Sequence, residues 1–238
     1  MDFQIALLLG QDGLTNGAIY ALLALALVLV FAVTRVIFIP QGEFVAYGAL
    51  TLAMLQAGKL PATLWMIAAL GAAIVVIDGA IAIRHGAARR LPRIVLSNLG
   101  VPLALLFIVP NINAAGLPLV AQIALTLAVV VPLGPMIYRL AYQPIAEAPV
   151  LILLIVSVAV HVVLIGLGLL FFGAEGTRTP AFTDGTLDLG VTTLQYQTLW
   201  ILAISAVLIV ALYAFFGRTL YGKALRATAL NRTGARLM

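Results

Sequence analysis

The amino-acid sequence predicts an all-α fold, a polytopic transmembrane helical bundle of about seven spans with its N-terminus outside and its C-terminus in the cytoplasm. Three observations predict it. Hydrophobic residues make up 64% of the chain and charged residues 9%, which is more apolar surface than a soluble domain of this length can hide. The apolar runs are long and unbroken rather than alternating at every second residue, which favours helices over an outer-membrane barrel. The thirteen Lys and Arg residues sit in the short polar interruptions between those runs, nearly all of them in alternate interruptions, the arrangement that sets orientation in a membrane.

The spans are expected at residues 14–34, 44–58, 62–83, 94–109, 119–138, 149–172 and 198–216. At 1.5 Å per residue, about 20 residues cross a hydrocarbon core of about 30 Å, so the second is short. The first opens with Asn16, Gly17 and Tyr20, suited to packing on a neighbouring helix, and closes at Arg35. A break with Pro40, Gly42 and Glu43 follows it. Gly58-Lys59-Leu60-Pro61 separates the second span from the third. The loop 84–93 carries Arg84, Arg89, Arg90 and Arg93 and is the strongest cytoplasmic marker. Pro110-Asn111-Ile112-Asn113 turns the fourth span into the fifth, with kinks expected at Pro102, Pro132 and Pro135.

An external N-terminus puts 35–43, 84–93, 139–148 and 217–238 inside, and with them every Lys and Arg except Lys59 and Arg178. Deleting any one span would invert all later loops. Residues 1–216 therefore read as one transmembrane domain. Residues 173–197, polar and rich in Thr and turn residues, read as a small external cap with a short hairpin. Residues 217–238 read as a cytoplasmic segment. Met1-Asp2-Phe3-Gln4 lacks a basic n-region, so no cleavable signal peptide is expected.

The chemical inventory argues against catalysis. With no Cys and two His, the chain offers no thiolate metal site, no metal constellation and no nucleophile–base pair, so neither enzyme activity nor cofactor is expected. The basic residues are dispersed over loops rather than gathered with stacking aromatics, which argues against nucleic acid. Gly217 to Lys223 satisfies the opening of a phosphate loop, but Ala224 stands where Ser or Thr must hold magnesium and a span precedes it in place of a strand. The Asn231-Arg232-Thr233 sequon falls on the side of the membrane that is not glycosylated.

The candidate translocation path is Asn16, Tyr20 and His161 within the apolar runs and Gly42 and Glu43 at the break between the first two. Each charged member has two readings. Glu43 is an interfacial carboxylate paired with Arg35, or a group on the path. His161 is a packed residue satisfied by Ser157 one turn earlier, or a substrate or proton ligand. Asp78, near the inner end of the third span, snorkels toward Arg84 or His85, or serves a relay.

The last stretch, 216–238, holds five of the basic residues and no acid. Drawn as a helix, Ala224, Ala227, Thr228, Asn231 and Ala235 share one side, with Lys223 and Arg226 on its flank. Gly222 before the helix and Gly234 inside it predict a short helix between two bends. So small a face lets another surface approach the backbone. A basic juxtamembrane tail that holds anionic lipid is the other reading.

This pattern resembles the cytoplasmic coupling loop of permeases in the branched-chain amino acid family of ABC importers, whose motif Gly222, Ala224, Arg226, Ala227, Asn231 and Ala235 match. Asn16-Gly17 and Tyr20-Ala21 are similar to the opening of that family's first helix. Phe38, Gly42 and Glu43 are kept from its first break, with Ile37, Ile39 and Gln41 where Asn, Ala and His usually stand. Tyr142-Gln143-Pro144 departs from its Tyr-Arg-Pro by one residue. The resemblance covers residues 14–58 and 138–238.

It implies a multi-pass protein of the bacterial inner membrane carrying branched-chain amino acids or a related small polar solute. The implied partners are a cytoplasmic ATP-binding subunit, a second permease subunit (the same chain or another) and an extracytoplasmic substrate-binding protein, all in a lipid bilayer. Members of the family continue past this motif with further helices, so the resemblance also implies a C-terminally shortened chain. Two other functions fit the residues alone: a secondary transporter or channel using Asp78, Glu43 and His161, and a non-transporting membrane scaffold whose basic tail recruits a cytosolic protein.

Overall fold

Helices of 16 to 32 residues dominate the computed structural model, which describes residues 3–177, 179–188 and 193–230. Six of the helical segments are long and apolar enough to cross a bilayer, among the described residues: Ile5–Thr34, Thr63–Arg84, Ala88–Asn111, Leu119–Ile145, Val150–Phe172 and Tyr196–Arg218. Their outward faces carry large apolar side chains, with Phe107 75% and Leu170 75% exposed, a surface that only lipid can cover over this extent. The chain is an all-α, multi-pass membrane protein.

The chain divides into two compact units, Met1–Phe38 with Pro180–Met238, and Ile39–Thr179. In the first unit α1 (Phe3–Thr34) packs against α8 (Tyr196–Arg218). The helix α1 starts eleven residues before the expected first span, because Gln11, Asp12 and Gly13 do not interrupt it. A two-stranded antiparallel hairpin, β1 (Thr186–Asp188) and β2 (Thr193–Gln195), precedes α8 with Thr186 opposite Gln195. It is tied down by Phe182 N–H donating to Gln197 Oε1 at 2.9 Å and by Trp200 Nε1 donating to Thr183 Oγ1 at 3.1 Å. The short hairpin expected within 173–197 is therefore present.

A groove in this unit is walled by residues 25–33 of α1 and 209–217 of α8, so the two helices run parallel and end at one level. Arg35, Arg218, Lys223 and Arg226 lie at that end. Asp12, Asp184 and Asp188 come earlier, at the opposite end.

The second unit contains α2 (Gln41–Gln56), α3 (Thr63–Arg84), α4 (Leu91–Asn111), α5 (Leu119–Val130), α6 (Leu133–Ile137) and α7 (Val150–Phe172). The helices α3 and α4 form a close antiparallel pair. A methyl group on Gly71 would stand 2.5 Å from Asn98 O, so only glycine allows this approach, the kind of contact that associates helices where no hydrophobic drive exists between them. Gln122 Nε2 donates to the carbonyls of Ala114, Ala115 and Leu117 and closes the turn between α4 and α5. Of the three expected kinks, Pro102 leaves α4 continuous, whereas the chain turns at Val131-Pro132 and, past Pro135, loosens into a π-helical turn over Tyr138–Tyr142.

The loops of this unit separate by charge. Thr51 Oγ1 lies 2.9 Å from Thr63 Oγ1, and Ala115 Cβ lies 3.8 Å from where a Gly58 Cβ would stand. The α2–α3 and α4–α5 connections therefore share one side, which carries Lys59. The opposite connections, 84–93 and 138–149, carry Arg84, Arg89, Arg90, Arg93, Arg139 and Glu147.

The short second span differs from expectation. The helix α2 has 16 residues, about 24 Å at 1.5 Å per residue against a core of about 30 Å. Its third residue, Glu43, meets His161, which is halfway along α7. The helix α2 therefore starts beside the middle of α7 instead of at its end.

Candidate functional site

Two places gather polar chemistry, one in each unit. In the second unit, α2 turns Glu43, Tyr47, Thr51 and Leu55 onto one stripe, because residues four apart lie one above another on a helix. Tyr47 is 3% exposed, and Thr51 and Leu55 are wholly buried. The matching stripe of α7 is Leu153, Ser157, His161, Leu164 and Gly168. Glu43 Oε1 lies 2.8 Å from His161 Nδ1. The contact is an ion pair when the imidazole is protonated. Glu43 Oε2 is buried with no hydrogen-bond partner among the described residues.

One turn further on, Tyr47 Oη donates to Leu164 O at 2.8 Å, and its ring meets Phe172 edge to face at 5.9 Å. The phenol lies alongside Gly168 of α7. Both stripes ascend together, so α2 and α7 run parallel. One turn before His161 on the same stripe, Ser157 shares a 3.0 Å hydrogen bond with Tyr142 Oη of the π-helical turn. Arg139, from the same turn, is paired with Asp78 of α3.

These partners correct three expectations. The Arg35 pairing expected for Glu43 is replaced by His161. The Ser157 partner expected for His161 is taken by Tyr142, and Asp78 binds Arg139 where Arg84 or His85 was expected. Each true partner lies on another helix, 61 to 118 positions away in the chain, beyond the reach of local spacing. Of the candidate path residues, Glu43 and His161 are brought together with Gly42 beside them. A Cβ on Gly42 would meet nothing within 4 Å, so packing does not demand glycine there. Asn16 and Tyr20 lie on the exposed surface of α1 in the first unit, Tyr20 at 69%.

The second place is the helix α9 (Leu220–Leu230). Thr219 ends α8 and starts α9. Its backbone is extended, its hydroxyl donates to Phe215 O, and the same oxygen accepts the Gly222 N–H at 3.0 Å, the geometry of an N-cap. Gly222 is thus the third residue of the helix, and the bend expected at Gly222 falls at Thr219. A methyl group on Gly222 would stand 2.2 Å from Phe215 O and 2.6 Å from Phe216 Cα. No side chain fits where α9 turns back onto the end of α8.

Gly222 of α9 is buried and Leu225 and Thr228 are half-buried, while Leu225, Arg226 and Ala229 border the groove. Ala224 and Ala227 face outward and are exposed. Of the residues singled out from sequence, Gly222 is buried against the end of α8, Arg226 is exposed at the edge of the groove, and Ala224 and Ala227 present an open small-residue surface. Asn231 and Ala235 lie outside the described residues.

No match was found to this chain among protein-family models, curated proteins or solved structures. The residues themselves carry the functional argument. Among the described residues no three His, Asp or Glu side chains are grouped as a metal site would need. The sites that sequence reasoning passed over are Tyr47, the Thr51–Thr63 pair, Gln122 and Arg139. The i, i+4 recurrence from Glu43 to Leu55 was the available signal for the first two.

Proposed function

We propose that the chain is a permease subunit of an ATP-driven importer for branched-chain amino acids or a related small polar solute, seated in a bacterial inner membrane. The observation that carries the reading is α9: a short helix capped by Thr219, clamped at Gly222 to the end of a membrane helix, with Ala224 and Ala227 bare on its outer face. A rigid attachment on one face and a small open surface on the other is what a lever needs to pass motion from a soluble motor into a span. The basic residues at the common end of α1 and α8 support a cytoplasmic location for α9 and an external N-terminus.

In this reading an ATP-binding subunit docks on Ala224 and Ala227, a second permease subunit completes the path, and an extracytoplasmic binding protein delivers the solute. The path passes the Glu43–His161 pair, whose free carboxylate oxygen suits a donor group on the solute. Purification from native membranes tests it. An ATP-hydrolysing subunit should accompany the chain and be lost from Ala227→Trp, where a bulky ring covers the docking face, but not from Tyr221→Ala. Purification without any ATPase, from cells that still accumulate solute, would defeat the reading.

The Glu43–His161 and Asp78–Arg139 contacts between helices favour a second reading, a secondary transporter or channel coupled to an ion gradient. Uptake that follows a proton gradient without ATP, and that His161→Gln abolishes, would establish it instead.

A further inference from the structure

The groove of the first unit has a volume of about 380 Å³ and is closed at its end by α9. Its walls are apolar, made by Leu29 and Val33 of α1, Leu212 and Phe216 of α8, and Leu225 of α9. Arg226 is the charged residue among its lining side chains. Three features bear on what occupies it. It runs between two membrane helices, so its surroundings are acyl chains. Its volume is within the range of about 300–1,000 Å³ of sites that hold small molecules. Its mouth is strongly positive: Lys223 is one helical turn from Arg226, and Arg218 adjoins the lining residue Gly217. Among the described residues of this unit the acids are Asp12, Asp184 and Asp188, at the far end of the helices.

Among the described residues no acid of this unit stands at that mouth to offset its charge. A second copy of the same surface would bring Arg218, Lys223 and Arg226 against their own kind. An anionic phospholipid supplies both halves of the complement at once, a tail for the slot and a phosphate for the guanidinium, which donates two parallel hydrogen bonds to such an oxyanion. We infer that this groove is a binding site for one anionic phospholipid, its acyl chain between α1 and α8 and its phosphate at Arg226. Since Arg226 and Leu225 belong to α9, the bound lipid also holds α9 in place. The inference depends on membrane embedding and not on the importer reading.

The full chain, reconstituted in nanodiscs of mixed phosphatidylcholine and phosphatidylglycerol and then stripped in detergent, provides the test by native mass spectrometry. The wild type should retain one phosphatidylglycerol in preference to phosphatidylcholine. Arg226→Gln should lower phosphatidylglycerol retention about fivefold, the factor for one basic side chain at an anionic headgroup, and leave phosphatidylcholine unchanged. Arg226→Lys should keep most of the preference, which separates lost charge from misfolding. Leu212→Trp, which fills the slot, should lose both lipids. Equal retention of the two lipids by the wild type would overturn the inference, as would undiminished phosphatidylglycerol in Arg226→Gln or Leu212→Trp. A Leu29→Cys variant that cross-links to its own copy through the groove would overturn it too, by showing a protein occupant.

Discussion

Gly222→Ala puts the junction of α8 and α9 to its sharpest test, because helix propensity and packing predict opposite signs. In a helix interior, alanine is favoured over glycine by about 1 kcal/mol. At position 222 the added methyl would stand 2.2 Å from Phe215 O and 2.6 Å from Phe216 Cα. Both obstacles are backbone and neither can swing away. Overpacking costs about 1–3 kcal/mol, and two backbone contacts at once place this site near the top of that range. The net loss is about 2 kcal/mol, or a factor of about 30 in the population of α9 detached from α8.

Gly217→Ala is the internal control, since its Cβ would meet nothing within 4 Å and only the propensity gain remains. Hydrogen exchange of peptides covering 220–230, followed by mass spectrometry, reads the detached population directly. Exchange should be about 30-fold faster in Gly222→Ala and unchanged or slower in Gly217→Ala. Slower exchange in Gly222→Ala would refute the reasoning, because the junction would then have room that the geometry denies.

Further predictions follow from the same contacts. A double-mutant cycle between Glu43→Gln and His161→Leu, by thermal unfolding in detergent, should show a coupling of about 1 kcal/mol, low in the range for touching residues because His161 keeps a third of its side-chain surface; strict additivity would show that the contact contributes nothing. Tyr142→Phe should cost about 0.6 kcal/mol, the average for a hydrogen bond between membrane helices, and should cost less in a Ser157→Ala background; an equal loss there would show that the hydroxyl does not act through Ser157. Thr219→Ala removes the N-cap of α9 and should cost about 1 kcal/mol, seen as exchange of 220–230 roughly fivefold faster with α8 unaffected. Equal exchange in the variant would show that the cap is not what starts the helix.

The extents of the spans were legible because a bilayer forces one rule on every helix: enough apolar residues to cover its thickness, then polar punctuation. Thr63–Arg84, Val150–Phe172 and Tyr196–Arg218 agree with expectation to within two residues at either end for that reason. The rule is weaker where polar residues are few and near an end. Gln11 and Asp12 look like a stop, yet α1 runs through them, since a helix satisfies its own backbone whatever its side chains meet. The reduced depth of α2 was visible only as shortness; that it starts beside the middle of α7 required the His161 contact.

Side-chain partners were the least legible part of the site. Glu43, Asp78 and His161 were each assigned the nearest opposite or polar group in sequence, and each instead meets a helix far along the chain. Local spacing constrains which face a residue occupies, not which helix that face meets. For α9, the small-residue face at Ala224 and Ala227 was readable from its spacing of three. The steric role of Gly222 was not, because it depends on how sharply the chain reverses at Thr219.

The central claim is that α9 stands on the cytoplasmic side, carried there by α1 and α8 ending together. The chain has no Cys, so single cysteines report without background. In intact cells a membrane-impermeant maleimide should label Ala181→Cys, beside the hairpin, and leave Ala227→Cys untouched, and inside-out vesicles should reverse the pattern. Labelling of Ala227→Cys from outside intact cells would contradict the account and remove the docking surface from the reach of any cytoplasmic motor.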